Sequence, residues 1–127
     1  MKKRKRVTTG ARWAETVGYS RAIRVGRRIW VSGTAAVGVD GRITGIGDAY
    51  AQAKRCLEII THALAELEGG PEHVVRTRMY IRDAASWEAV GRAHGEAFGE
   101  AQPATTMVVT GLIDPDMLVE IEVEAIL

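Results

Sequence analysis

The sequence predicts a single α/β domain in which two helices pack on one face of a sheet. Apolar residues recur at helical spacing over about twenty residues after Asp48, whereas residues 74–82 and 118–127 alternate between apolar and polar positions. The chain has 127 residues, of which 46% are hydrophobic, and this is the usual size and composition of one globular domain. The apolar face of the sheet is therefore expected beneath the helices.

The first ten residues are predicted to be a basic, disordered tail, and residues 11–127 the single domain. Lys2–Arg6 is a run of five basic residues with no apolar segment behind it. Such a run lacks the apolar core of a signal peptide or a membrane anchor. A solvated tail is favoured over an arm that binds nucleic acid.

Two short strands are predicted next, over residues 21–25 and 28–32. Gly26-Arg27 between them suits a tight hairpin turn, and Gly33 ends the second strand. The Asp40-Gly41 pair marks a further turn.

The strongest helix prediction begins after Asp48, whose side chain can cap the free amide groups of the first turn. Gly69-Gly70-Pro71 ends this helix. Cys56 lies on its apolar face, so a buried, inert thiol is predicted rather than a nucleophile. The apolar positions of the helix are Ala49, Ala53, Cys56, Leu57, Ile60, Leu64 and Leu67.

Residues 74–82 alternate as a strand with one face toward the helices. That face carries Val75, Thr77, Met79 and Ile81, and the other face carries Arg76, Arg78, Tyr80 and Arg82. Because an unpaired buried charge is costly, the arginines must meet water or carboxylates.

A second helix is predicted over residues 86–98. Gly91 and Gly95 within it each cost about 1 kcal/mol relative to Ala, which indicates either the close approach of another element or a weaker helix. Its apolar stripe consists of Trp87, Val90, His94, Ala97 and Phe98.

Two strands end the chain, over residues 105–110 and 118–127, with a turn at Asp114-Pro115-Asp116. In the last strand Val119, Ile121, Val123 and Ala125 point inward, and Glu120, Glu122 and Glu124 point to the opposite face. One sheet face thus carries arginines on one strand and glutamates on another, which suits contact with a second subunit.

Composition argues against several classes of protein. A formal net charge of +1, without a patch of basic and aromatic residues, argues against nucleic acid as a partner. A single cysteine cannot form an internal disulfide, and no Cys/His group has metal-ligand spacing. These features fit a cytoplasmic protein without a metal.

From about Val17 to its end the chain resembles the RidA/YjgF/UK-type family, whose members are also described as L-PSP endoribonucleases. The matching segments are Gly18-Tyr19-Ser20, Val31-Ser32-Gly33, Ala51-Gln52-Ala53, Val74-Val75-Arg76-Thr77, Gln102-Pro103-Ala104 and Val119-Glu120-Ile121-Glu122. The resemblance implies a chorismate-mutase-like fold with six strands and two helices, assembled as a homotrimer with clefts between subunits. It also implies hydrolysis of reactive enamines and imines without any cofactor.

The resemblance assigns residues to such a cleft. Glu120 stands where the family has a carboxylate that orients water, and Tyr19 and Ser32 stand at ligand-binding positions. Thr105 stands where members with the deaminase pattern have an arginine that binds the substrate carboxylate, and Gly91 replaces a frequent asparagine. A bidentate arginine contact of this kind contributes roughly 1.5–3 kcal/mol, which a threonine hydroxyl does not replace.

Two side chains are candidate replacements for that arginine. Arg78 can reach the sheet surface, and His94 can enter the cleft from the second helix. The competing interpretations are an ion pair between Arg78 and a glutamate of the last strand, and a packing role for His94.

The favoured function is a deaminase for a small-molecule enamine or imine, with Glu120 positioning water. The alternative is a non-catalytic trimer that binds a metabolite, because the arginine is missing. Cleavage of RNA ranks last.

Overall fold

Six strands form one mixed sheet in the computed structural model, which describes residues 3–127. The strands are β1 (Arg4–Val7), β2 (Ala22–Val25), β3 (Arg28–Thr34), β4 (Val74–Ile81), β5 (Ala104–Val109) and β6 (Val119–Ile126). Their order across the sheet is β1-β2-β3-β6-β4-β5, and every neighbouring pair is antiparallel except β4-β5. The helices are α1 (Ala14–Val17), α2 (Ala49–Glu66) and α3 (Trp87–Phe98).

The prediction of a disordered tail is wrong for Arg4–Val7, because this segment forms β1, at one edge of the sheet. This segment pairs with β2 from Arg4 opposite Val25 to Val7 opposite Ala22. An edge strand needs no apolar alternation, because its backbone pairs on one side while long basic side chains stay in water. Residues 1 and 2 lie outside the described residues, so the prediction stays untested there.

Helix α2 is confirmed, including its cap and its buried face. The Asp48 side chain accepts a hydrogen bond from the Ala51 amide at 3.0 Å. Cys56 and Ile60 are fully buried in a core shared with the inward residues of β3, β4 and β6. Burial raises the pKa of the Cys56 thiol to about 12, so this thiol is protonated and inert, as predicted.

Two apolar residues predicted to face the core are exposed. Val75 is 43% exposed, because the pairing of β4 with β6 shifts register between Val74 and Arg76 and buries Val74 instead. Trp87, in the first turn of α3, is 59% exposed, whereas Val90, Ala93 and Phe98 form the buried side of that helix.

The face of the sheet without helices, here called the open sheet face, carries paired charges. In the register of β4 and β6, Arg76 lies opposite Glu124, Arg78 opposite Glu122, and Tyr80 opposite Glu120. This arrangement matches the predicted grouping of arginines and glutamates.

Arg82, in contrast, leaves the open sheet face, because β4 ends at Ile81. Its guanidinium donates instead to the carbonyl oxygens of Leu112, Asp114 and Met117. Arg82 therefore holds the loop that precedes β6.

Within residues 3–127 no helix has the length and apolar character needed to cross a bilayer.

Candidate active site

Glu120 lies half-buried on the open sheet face, beside a glycine of the neighbouring strand. A Cβ atom built on Gly33 of β3 would come within 2.9 Å of Glu120 Oε1. The pairing of β3 with β6 shifts register between Val31 and Thr34, at this same place. The absence of a side chain at Gly33 therefore makes the room that the Glu120 carboxylate occupies.

The surroundings of Glu120 favour its protonated form. Burial raises its pKa first, the negative charge of Glu122 raises it further, and the positive charge of Arg21 acts in the opposite direction. A carboxylate whose pKa is raised toward neutrality is a better general base than an ordinary surface carboxylate. The chemistry available here is proton transfer to and from a small molecule or water.

Arg21 is a residue of this site that the sequence analysis did not identify. Its guanidinium donates from Nη1 to the Gly33 carbonyl oxygen at 3.0 Å and to Thr34 Oγ1 at 2.8 Å. In the sequence Arg21 is one of several arginines near a predicted strand. Only the pairing of β2 with β3 brings it beside Gly33.

The other polar groups of the open sheet face bind one another. The Tyr80 hydroxyl donates to Glu122 Oε1, and this hydrogen bond is the main cause of the raised pKa of Tyr80. Arg78 Nη1 lies 3.8 Å from Glu124 Oε1. The competing interpretation of Arg78, an ion pair with a glutamate of the last strand, matches this geometry.

Ser32 lies toward the β1–β2 side of the same region, and Tyr19 directly precedes Ser20, which Ser32 contacts. The Ser32 hydroxyl donates to the Ser20 carbonyl oxygen at 2.7 Å. Ser32 also lines a cavity of about 350 Å³ with Trp30, Glu122 and Glu124. Tyr19 is half-buried, and its hydroxyl has no hydrogen bond to any residue in the range 3–127.

Thr105 and His94 form a second group, on the helix-covered face of the sheet. Thr77 Oγ1 lies 2.8 Å from His94 Nε2 and 2.8 Å from Thr105 Oγ1, which donates to the Pro103 carbonyl oxygen at 3.0 Å. Burial lowers the pKa of His94, so its imidazole is neutral at pH 7. Thr105 is exposed on the edge strand β5, whereas Thr77 is fully buried.

The structure thus divides the predicted site residues between two faces of one sheet. Thr105 lies opposite Thr77 and Glu120 lies opposite Tyr80, and on β4 these two partners point to opposite faces. Within one protomer, Glu120, Ser32 and Arg78 share the open sheet face, and Thr105 and His94 lie on the helix-covered face.

Among residues 3–127 there is no cluster of three or more His, Cys, Asp or Glu side chains that could hold a metal ion.

Comparison with known proteins identifies relatives over almost the whole chain. The family model described as Endoribonuclease L-PSP matches residues 9–127. An uncharacterised protein of Streptomyces coelicolor is 43% identical over 122 residues, which are 95% of this chain and 90% of that protein. The 3-aminoacrylate deaminase RutC of Acinetobacter baylyi is 33% identical over 103 residues, with 81% of this chain and 82% of that protein covered.

A solved structure of a related protein has the same fold as this chain. The crystal structure of Rv2704 from Mycobacterium tuberculosis, a member of the YjgF/YER057c/UK114 family, superposes with a TM-score of 0.88 at 40% identity. The match covers 98% of this chain and 100% of that one. The six-stranded sheet and its helices are therefore the fold of that protein as well.

Proposed function

The chain belongs to the RidA/YjgF/L-PSP endoribonuclease family, and we propose that it is a hydrolytic deaminase of small enamines or imines. Glu120 is the proposed catalytic residue. The observation that carries the proposal is its half-buried carboxylate, whose pKa is raised by burial and by Glu122. A deaminase relative at 33% identity supports the same class of reaction.

In the proposed reaction Glu120 accepts a proton from a water molecule as the water oxygen attacks the carbon of a C=N bond. The C–O bond forms, and the π electrons of the C=N bond move to nitrogen, which takes a proton. When the carbinolamine collapses, the C–N bond breaks, protonated Glu120 gives its proton to the leaving nitrogen, and the hydroxyl proton passes to water, which releases ammonia and a carbonyl product. An enamine enters this reaction as its imine tautomer, after its β-carbon gains a proton and its nitrogen loses one.

We propose that the active unit is a homotrimer in the cytoplasm. The strand β5 has a free edge, and the open sheet face exposes apolar surface at Trp30 (38% exposed) and Val108 (41% exposed). Exposed apolar surface on a charge-complementary sheet face favours association. Assembly can also bring the two groups of predicted site residues together in one cleft between protomers. One protomer would contribute Thr105 and His94, and its neighbour would contribute Glu120, Tyr19, Ser32 and Arg78.

The decisive assay is ammonia release from freshly generated 2-aminoacrylate and 3-aminoacrylate. We expect the wild-type protein to accelerate release over buffer and Glu120→Gln to lose the acceleration by roughly 100-fold or more, since general-base help is worth about that much. Glu72→Gln, which changes an exposed carboxylate outside the sheet, is the control and should stay close to the wild-type rate. No acceleration by the wild type, or a full rate in Glu120→Gln, rejects the proposal.

A second candidate function is supported by the Thr105 group. The hydrogen bonds that connect Thr105, Thr77 and His94 involve no cation, so a ligand carboxylate gains no charge pairing from this chain of groups. This favours a non-catalytic trimer that binds a small metabolite. Thermal-shift measurements with small carboxylates, aldehydes and amides test it: binding without ammonia release supports it, and turnover rejects it.

A further inference from the structure

Arg21 and Glu120 both contact Gly33. Arg21 Nη1 binds the carbonyl oxygen of Gly33 at 3.0 Å, and the Glu120 carboxylate lies against the α-carbon of the same residue. Arg21 Nη1 also donates to Thr34 Oγ1 at 2.8 Å, and Nη2 donates to Thr9 Oγ1 at 3.2 Å. These hydrogen bonds fix the position of the guanidinium at the backbone segment that the Glu120 carboxylate contacts.

Thr34 strengthens this fixation, because it is buried and its hydroxyl donates to the Ser32 carbonyl oxygen at 2.8 Å. The segment from Ser32 to Thr34 is the place where the register of β3 and β6 shifts. A shifted segment leaves ladder hydrogen bonds unmade, and side-chain donors replace them. Arg21 supplies such donors to Gly33 and Thr34, within the segment that Glu120 contacts.

The charged and titratable groups around Glu120 are few within the described part of the chain. Glu122 lies two residues along β6, Tyr80 faces Glu120 from β4, and Cys56 lies buried on α2. Arg78 binds Glu124, so its charge is already partnered. Within the described residues, the positive charge that acts on Glu120 is that of Arg21.

We propose that Arg21 is the positioning residue of this site, which fixes the Gly33 backbone that the Glu120 carboxylate contacts and whose positive charge favours the ionised form of that carboxylate. The proposal rests on the proposed deaminase function for its catalytic meaning. Its physical part, the action of Arg21 on Glu120, is measurable without any activity.

Three variants distinguish the effect of the Arg21 charge from the effect of its hydrogen bonds. Arg21→Lys keeps the charge and part of the donor set, whereas Arg21→Gln removes the charge. Arg24→Gln is the matched control, because Arg24 lies on β2, three residues after Arg21, and also binds backbone carbonyl oxygens, those of Gly26 and Leu67. Circular dichroism verifies that each variant is folded.

The first measurement is the pH dependence of ammonia release. Activity requires ionised Glu120 and is lost as the pH falls through its pKa, so removal of the Arg21 charge should move this acidic limb to higher pH. We expect that shift in Arg21→Gln and not in Arg21→Lys or Arg24→Gln. At the high-pH plateau both Arg21 variants should be roughly two- to tenfold slower, the loss expected for a hydrogen bond.

The second measurement is the titration of the Glu120 carboxyl carbon by ¹³C NMR, assigned with Glu120→Gln. Its midpoint should rise in Arg21→Gln and stay in place in Arg24→Gln. An unchanged midpoint in Arg21→Gln, or equal plateau losses in both Arg21 variants without a shift of the acidic limb, overturns the proposal. If the wild type releases no ammonia, the proposed function fails while the NMR titration still decides the role of Arg21.

If Arg21→Gln does not fold, a second substitution at position 21 provides the same test. Citrulline incorporated at position 21 keeps the shape of arginine, removes the charge and replaces one terminal NH₂ group with a carbonyl oxygen, so one terminal donor group remains for the Gly33 segment. The same shift of the Glu120 midpoint is expected from it, and an unchanged midpoint overturns the proposal.

Discussion

Glu120 Oε1 occupies the space that a side chain at Gly33 would fill, since a Cβ atom there would lie 2.9 Å away. Real Cβ atoms do not approach an oxygen so closely, so any larger residue at position 33 must displace the carboxylate or the strand. Gly33 is thus required for close approach and not for an unusual backbone angle, because its φ is not positive.

Gly33→Ala should therefore displace Glu120 and slow ammonia release by up to about 100-fold, because a misplacement of about 1 Å has that effect on a catalytic group. Gly111→Ala is the control, since a Cβ atom there meets nothing within 4 Å. Initial rates with 2-aminoacrylate measure the effect. An unchanged rate in Gly33→Ala would mean that the position of Glu120 is unimportant for turnover.

Thr77→Val should destabilise the protein by about 1–3 kcal/mol. Valine has nearly the shape of threonine, but it leaves His94 Nε2 without its partner in a half-buried position. Urea unfolding measures the free energy of unfolding. Thr106→Val, which removes an exposed hydroxyl that accepts from Arg76, should have a much smaller effect.

Gly91→Ala should stabilise the protein by about 1 kcal/mol. A Cβ atom at Gly91 meets nothing within 4 Å in the described chain, so alanine brings only its better helix propensity. Gly45→Ala should destabilise it, because Gly45 has φ +67° and its Cβ would lie 3.2 Å from Gln52 Cγ. Loss of stability or of assembly in Gly91→Ala would instead indicate that a second protomer approaches this helix closely.

Glu120→Gln should make the fold more stable at neutral pH. The pKa of Glu120 is raised above its ordinary value of 4.5 in the folded state, so folding favours the protonated carboxyl. This contribution is fully present below pH 4.5 and is lost as the pH rises through the folded pKa. The variant should therefore exceed the wild type in melting temperature at pH 7, and the difference should disappear in acid.

Glu124→Gln is the control for that measurement. Glu124 forms an ion pair with Arg78, so its replacement should not stabilise the protein at neutral pH. A melting temperature of Glu120→Gln that stays at or below the wild-type value at pH 7 would contradict the raised pKa.

Most of the secondary structure is predictable from the amino-acid sequence alone, including α2, α3, the five strands after residue 20 and the faces of β6. These features follow from local patterns: apolar residues spaced for one helix face, alternation along a strand, a capping aspartate and glycines at turns. The family resemblance, which the family model and relatives confirm, also depends on short linear motifs. Local patterns also placed Glu120, Glu122 and Glu124 together on one face of β6.

The remaining features could not be predicted from local patterns, because they depend on which strands become neighbours in the folded chain. Arg4–Val7 becomes a strand because β2 offers it a free edge, and Val75 turns outward because of a register shift that no alternation reveals. Arg21 reaches Gly33 through the pairing of β2 with β3, and Thr105 lies behind the sheet because it pairs with Thr77 rather than with Tyr80. The distance between residues across a sheet is set by register, and register is a property of the folded chain as a whole.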